Sequence, residues 1–457
     1  MNTSVKTPQT ASEEPYNGQP TNRQRRVSAN KKSRFASVIL VAVLVFTGIH
    51  GNSCSSITPK VDCSQSNTTQ YLAFQLFTSR TLEPVGDYQP LRPLISQGQM
   101  EDFFSTVRSK VGISELKCRK IAVILGPIAL DFSDAEISNF ISQAFAVAEK
   151  YDIAVGFHID DGMFWAKRTD LWQNPENVEW IDWNKTPNTS RHVDWITTRL
   201  APEMCFNAPQ VKAAMKSMMS GIAAAIKSNY DRVTTKNKEY LYAGTIVGWE
   251  TSIDPDRDTQ RSSGYHALFN KGFRQNNLPG NIDQERATLV QEYIDWIAAP
   301  FSQVGLPIHK TYSHVGFLSK KVYDSLSAIS PAFAKKSYNE VNYFSPPEIA
   351  IGTNYTPGFS TYPQNGLFDQ IYALVKNVSW VSSEGTNISL TVTPPASPGY
   401  GMESYLARHF NYGCTLLNIF AFQLRGDPFT EVLNDASEGA EAIAAYKKFL
   451  SGARLTE

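Results

Sequence analysis

Several features that would quickly assign this 457-residue chain to a class are missing from it. There is no charge imbalance: Lys+Arg and Asp+Glu number 43 each, which removes the electrostatic basis for nucleic acid as a partner of the folded part. Cysteine is sparse, with five residues at 54, 63, 118, 205 and 414 and no C-x-x-C pair, so no zinc or dithiol motif is present. Cys54 and Cys63 can close one small disulfide, and the other three cysteines read as free core residues. No period of 20–50 residues recurs, which excludes a solenoid or propeller. A Gly-rich phosphate turn is absent too: the first strand candidate runs into Thr78-Ser-Arg-Thr-Leu-Glu83, unlike a nucleotide-binding open sheet. No cofactor is implied. Charged residues make up only 19% and hydrophobic ones 42%, enough apolar material for a large core and too little charge for global disorder.

Long apolar runs are rare as well, with one exception. Residues 1–34 are polar, rich in Ser, Thr, Asn, Gln and Pro, and end in a basic cluster of Arg23, Arg25, Arg26, Lys31, Lys32 and Arg34. Such a tail has nothing with which to offset ordering entropy. An uncharged segment, Phe35 to Ile49, follows directly. Positive charge before an apolar run is the pattern of an export signal or an amino-in anchor. The chain therefore divides into a tail (1–34), a signal or membrane anchor (35–50), a neck (51–69) and a folded domain (70–457) lying outside the cytoplasm. From residue 67 onward, N-x-S/T triplets begin at Asn67, Asn184, Asn188, Asn354, Asn377 and Asn387 and bear on a host that glycosylates.

From residue 70 short β-branched or aromatic runs alternate with amphipathic segments, the pattern of parallel strands joined by helices. Strands are expected at 71–78, 120–125, 153–158, 240–249, 308–314, 348–354, 378–383 and 415–422. Helices are expected at 97–111, 134–150, 209–228, 283–303, 320–326, 367–376, 402–412 and 438–451. Ser133 is the expected N-cap of the second. Eight alternations in one domain point to an α/β fold of the (β/α)₈ barrel kind. The longest connections, 159–208 and 250–282, follow strands three and four, on the side where a barrel builds its active face.

Active residues of barrels sit at the carboxyl ends of strands. That filter leaves Asp131, Asp160, Asp161, Glu250, Asp254 and Glu384 among the acidic residues. The fourth strand ends Gly-Trp-Glu250-Thr-Ser-Ile-Asp254 and the seventh runs Trp380-Val-Ser-Ser-Glu384-Gly-Thr-Asn387. In strand order and in these two motifs the chain resembles the clan A retaining glycoside hydrolases, whose acid/base follows strand four and whose nucleophile follows strand seven. The resemblance implies acid/base Glu250, nucleophile Glu384, and carboxyls about 5–5.5 Å apart across a glycosidic bond. It departs from the clan at Trp249, where an Asn normally holds the neighbouring hydroxyl.

The run Phe157-His-Ile-Asp-Asp-Gly-Met-Phe-Trp165 is the other dense constellation. His158 and Asp160 share a strand face. With Asp161 they read as sugar contacts, as a structured loop start, or as the seed of a metal site. Tyr312, His314 and Tyr355 are candidates for the group that clan members place beside the nucleophile. Asn354, Trp380 and Asn387 complete the expected substrate contacts together with Trp165 and Trp249. The tryptophans at 165, 172, 180, 183 and 195 crowd the third loop, either as sugar platforms or as a small core under it. The expected partner is a carbohydrate. The competing readings are a non-catalytic carbohydrate-binding barrel, a metal-dependent hydrolase centred on His158 and Asp160, and a surface protein without a ligand.

Overall fold

Among the described residues, eight strands alternate with eight principal helices in the order the sequence suggests. A computed structural model describes residues 68–78, 94–128, 133–193, 199–329, 346–376, 378–387, 401–420 and 438–457. The strands are β1 (Gln70–Leu76), β2 (Arg119–Leu125), β3 (Ala154–Ile159), β4 (Tyr242–Val247), β5 (Thr311–Tyr312), β6 (Gly358–Ser360), β7 (Trp380–Gly385) and β8 (Cys414–Ile419). The barrel helices are α1 (Gln97–Val111), α2 (Asp134–Tyr151), α3 (Pro209–Thr234), α4 (Ile282–Gln303), α5 (Lys320–Ile329), α6 (Leu367–Val375), α7 (Met402–Phe410) and α8 (Glu438–Leu450). Two starts carry capping boxes, Ser96 with Gln99 and the expected Ser133 with Glu136, each satisfying two backbone amides of the first turn.

The hydrogen-bonded order β5-β4-β3-β2-β1-β8-β7-β6 makes one sheet, and its strand pairs are parallel. Its edges meet through parallel bridges Tyr312–Thr356 and Val315–Phe359, with Val315 N–H donating to Gly358 O and Ser360 N–H to Val315 O. The result is a nearly closed (β/α)₈ barrel. Period-two alternation sorts the side chains. Tyr71, Ala73, Ala122, Ile124, Ala154, Ala243, Ile246, Tyr312, Val381 and Leu416 fill the interior. Leu72, Phe74, Leu76, Val123, Val155 and Phe157 point outward into the larger core shared with the helices.

Three expectations need correction. The sixth strand is not at 348–354. Residues 347–350 form a 3₁₀ turn, and β6 begins at Gly358. Asn354 and Tyr355 therefore precede the strand, at the amino end of the barrel. There Asn354 bonds Asp295 of α4 and the Tyr355 hydroxyl donates to Ile349 O. The fifth strand is shorter than expected because Ile308–Lys310 is also a 3₁₀ turn. Finally, Cys118 is disulfide-bonded rather than free, whereas Cys205 and Cys414 are free and buried as expected.

Among the described residues no helix is long and apolar enough to cross a membrane, and the apolar run at 35–49 lies outside them, as do Asp131 and Trp195. Of the glycosylation triplets, Asn188 is ruled out by burial: its amide donates to the Ser263 hydroxyl and its carbonyl oxygen accepts Glu203 N–H.

Candidate active site

The two long loops after β3 and β4 are stitched into one layer by buried carboxylates that accept backbone amides. Glu179 takes N–H donors from Trp180, His266 and Ala267, and burial pushes its carboxyl up to about 7. Glu203 accepts from Met204 and Asp254, and burial raises it well above the usual range. The tryptophans of the third loop are mostly core. Trp165 is fully buried with its indole N–H on Pro202 O, and Trp180 stacks on His266 at 4.0 Å. Trp165 is thus removed from the expected sugar contacts, because its ring faces the interior.

Glu250 sits on a strained turn at the end of β4. Gly248 and Glu250 both have positive φ, +80° and +50°. For a non-glycine residue that conformation is uncommon and persists where surrounding contacts enforce it. The enforcing contact is Asp161, whose carboxylate accepts Trp249 N–H at 3.2 Å and the Thr251 hydroxyl at 3.1 Å. Asp161 is therefore a clamp on the turn. Asp160 beside it caps the following helical turn through Met163 N–H, and burial and Asp161 raise it to about 7.

The Glu250 carboxyl accepts a hydrogen bond from Ser360 Oγ at 2.5 Å and lies over Gly316, where a Cβ would come within 2.5 Å of Oε1. Burial raises its pKa. The Ser360 bond opposes that rise and the charge of Asp254 adds to it. Asp254 itself is pushed up to about 6 by burial, against the pull of Arg191, whose guanidinium is 3.7 Å away.

Glu384 closes the other side. It lies near the end of β7 and is paired with Ser360 in the β6–β7 ladder, so the residue that grips Glu250 is the backbone neighbour of the second acidic residue. The Tyr362 hydroxyl donates to Glu384 Oε1 at 2.9 Å, and Glu384 Oε2 is buried without a protein partner. Burial, then the charge of Glu250, hold this carboxyl well above its ordinary range, while Tyr362 and the nearby Trp249 indole favour the ionised form. Glu384 thus feels the charge of Glu250, and Glu250 that of Asp254. Two carboxyls under such mutual influence do not both ionise readily.

Around the pair, Trp249 is half-buried against a cluster of Phe77, Tyr362 and Phe420. Its ring lies flat on His158, 4.0 Å between centroids. His158 and His314 are fully buried beneath and bonded to each other, so neither faces a ligand as the sequence suggested. Tyr312 lies lower in the barrel with its hydroxyl on Ala243 O, and Trp380 belongs to the helix-side core with its indole N–H on Tyr412 O. Asn387, just past β7, is half-buried beside Thr386. Of the expected residues, Glu250, Glu384, Trp249, Asp160 and Asp161 gather at the carboxyl end of the barrel. Tyr362, Ser360 and Arg191 were not anticipated. Placing strand six ten residues early hid Tyr362, although the run Phe359-Ser-Thr-Tyr362 is itself β-branched and aromatic.

Among the described residues no group of three or more His, Cys, Asp or Glu is arranged to hold a metal ion.

No family model and no curated protein matches this chain. Solved structures do. The catalytic domain of a beta-amylase from Paenibacillus polymyxa is 8% identical, aligned over 85% of this chain and 100% of its own, with a TM-score of 0.49. A GH5-4 broad-specificity endoglucanase from Bacteroides salanitronis is 11% identical over 88% of this chain and 99% of its own, at 0.40. A GH26 endo-beta-1,4-mannanase catalytic domain from Bacillus sp. JAMB-750 is 10% identical over 84% and 86%, at 0.41. An L-ribulose 3-epimerase also matches, at 9% identity and 0.35. Barrels of different chemistry thus match at similar levels, and activity has to be argued from the site.

Proposed function

We propose that the protein is a retaining glycoside hydrolase in which Glu384 is the nucleophile and Glu250 the acid/base, acting outside the cytoplasm on an oligo- or polysaccharide. The observation that carries this reading is the placement of two carboxyls at the ends of β4 and β7, with Glu250 bonded to Ser360 of β6 and Glu384 paired with that same residue across the β6–β7 ladder. In the first step Oε2 of Glu384 bonds to the anomeric carbon, the glycosidic C–O bond breaks, and the Glu250 proton goes to the leaving oxygen. In the second step Glu250 takes a proton from water, whose oxygen displaces Glu384. The donor on Glu384 Oε1 fixes the carboxylate plane and directs Oε2 to the substrate. Trp249, the half-exposed member of the aromatic cluster, offers an apolar face to a sugar ring.

Export is supported by the basic tail before an apolar run and by the disulfide at Cys118, since disulfides persist in oxidising compartments. The experiment is a screen of aryl glycosides and polysaccharides with wild type, Glu250→Gln and Glu384→Gln. Turnover lost in both variants supports the reading. Undiminished carbohydrate affinity with no turnover even in wild type identifies a binding barrel instead.

A further inference from the structure

Beneath Glu250 an unbroken line of hydrogen bonds runs across three strands. Ser360 Oγ is 2.5 Å from Glu250 Oε1, His314 Nε2 is 2.8 Å from Ser360 Oγ, and His158 Nε2 is 3.1 Å from His314 Nδ1. Both rings are fully buried. The Trp249 ring covers His158, 4.0 Å between centroids and nearly parallel to it. Nothing in this line is a fixed cation. We infer that His158, His314 and Ser360 form a reversible hydrogen-bond relay whose two histidine tautomers follow the protonation state of Glu250.

The direction of each bond follows from a count of hydrogens. A neutral imidazole carries one N–H, so each ring donates on one side and accepts on the other. Burial keeps both rings neutral, holding His158 down to about 3 and His314 well below its ordinary value. The line therefore runs in one of two directions. With Glu250 ionised, Ser360 O–H donates to Oε1, His314 Nε2–H donates to Ser360, and His158 Nε2–H donates to His314 Nδ1. With Glu250 protonated, every donor reverses: Oε1–H donates to Ser360, Ser360 to His314 Nε2, and His314 Nδ1–H to His158 Nε2. His158 then carries its hydrogen on Nδ1, on the side of the Gly248 backbone. Between the two states each shared hydrogen moves one place along the line. The single proton gained or lost at Glu250 is balanced by one exchanged at His158 Nδ1, which is buried beneath Trp249, so the line switches only when a transient opening admits water there.

The consequence rests on the glycosidase reading. An acid/base residue is protonated in one half of a retaining cycle and ionised in the other. A lysine or arginine in place of Ser360 would favour only the ionised half. A hydroxyl backed by two neutral imidazoles supplies an acceptor in one half and a donor in the other, so Glu250 is hydrogen-bonded throughout. Ser360, His314 and His158 are positioning residues in this scheme. Other titratable groups among the described residues act on the line electrostatically. Asp254 and Glu384 act electrostatically on or near Glu250, with Tyr362 on Glu384, and only His158 acts on His314.

The test reads tautomers, not turnover. Full-length protein labelled with ¹⁵N-histidine and ¹³C-carboxyl glutamate is titrated by NMR. Both buried rings remain neutral, and their Nδ1 and Nε2 signals exchange identity with one shared midpoint, that of the Glu250 carboxyl. Glu250→Gln abolishes the switch. Ser360→Ala uncouples the rings and raises the Glu250 midpoint, because the lost hydroxyl favoured the anion, and Ser360→Thr restores both. Static tautomers while Glu250 titrates, or an imidazolium forming in that range, overturns the relay. If the rings switch but Glu250→Gln keeps turnover, the relay stands and the catalytic role of Glu250 falls. If turnover is lost and the rings are static, the reverse holds.

Discussion

Gly316 gives the sharpest handle on how Glu250 is held. A Cβ at this position would lie 2.5 Å from Glu250 Oε1, 2.7 Å from Cδ and 3.1 Å from Cγ. Ordinary contact begins near 3.4 Å, so in Gly316→Ala the carboxyl has to retreat by about 1 Å. The retreat is easy for the fold, because the obstructing atoms are the end of a flexible side chain. Gly316 is also not among the positive-φ glycines, and alanine at a compatible backbone gains about 0.4–1 kcal/mol through the unfolded chain. For catalysis it is costly: a displacement of that size loses about 10²-fold in kcat/KM, or about 2.7 kcal/mol of transition-state stabilisation. The assay is kcat/KM on the best aryl glycoside from the screen, beside a melting curve. The expected result is a melting temperature near wild type and a loss of roughly two orders of magnitude. Wild-type kcat/KM in a folded Gly316→Ala protein would refute the placement of Glu250 or its role.

Other outcomes follow from the same geometry. Tyr362→Phe removes the donor that favours ionised Glu384, so the acid limb of the pH–rate profile moves to higher pH and kcat falls by about 10-fold or more; an unmoved limb contradicts the assignment. Stability should fall as pH rises from about 4.5 to 7. Glu179, with a folded pKa of about 7 against 4.5 unfolded, binds its proton more tightly when folded, so its contribution is complete below 4.5 and gone above 7. Its share is on the order of 3 kcal/mol, and a urea midpoint that rises with pH over that window would show the sign to be wrong. Alkylation of denatured, unreduced protein should label Cys205 and Cys414 and spare Cys118; labelled Cys118 would count against the disulfide.

The barrel was legible because its signals are local. Alternating apolar residues, and the cap at Ser133, set most of the strands and helices to within a few residues. The exception is instructive. The Glu348–Asn354 run looks like a strand but is tied by Asn354 to Asp295 of α4, while the three residues of true strand β6 are too few to show a period. That slip moved Tyr362 and Ser360 out of view and brought Tyr355 and Asn354 in. The carboxylates at strand ends were legible because position alone selects them. The roles of Asp161 as a clamp, and of His158 and His314 as a buried line, depend on contacts of Asp161 and His158 with residues 88–156 positions away, which no spacing in the sequence encodes.

The account turns on Glu384 forming a bond to sugar. Incubation with 2-deoxy-2-fluoro glycosides bearing an activated leaving group, matched to the substrate found in the screen, slows release of the intermediate enough to weigh it. Intact mass should rise by one fluorosugar, peptide mapping should put the label on Glu384, and Glu384→Gln should take up none. A label on another residue, or active enzyme that never acquires one, would contradict the central claim.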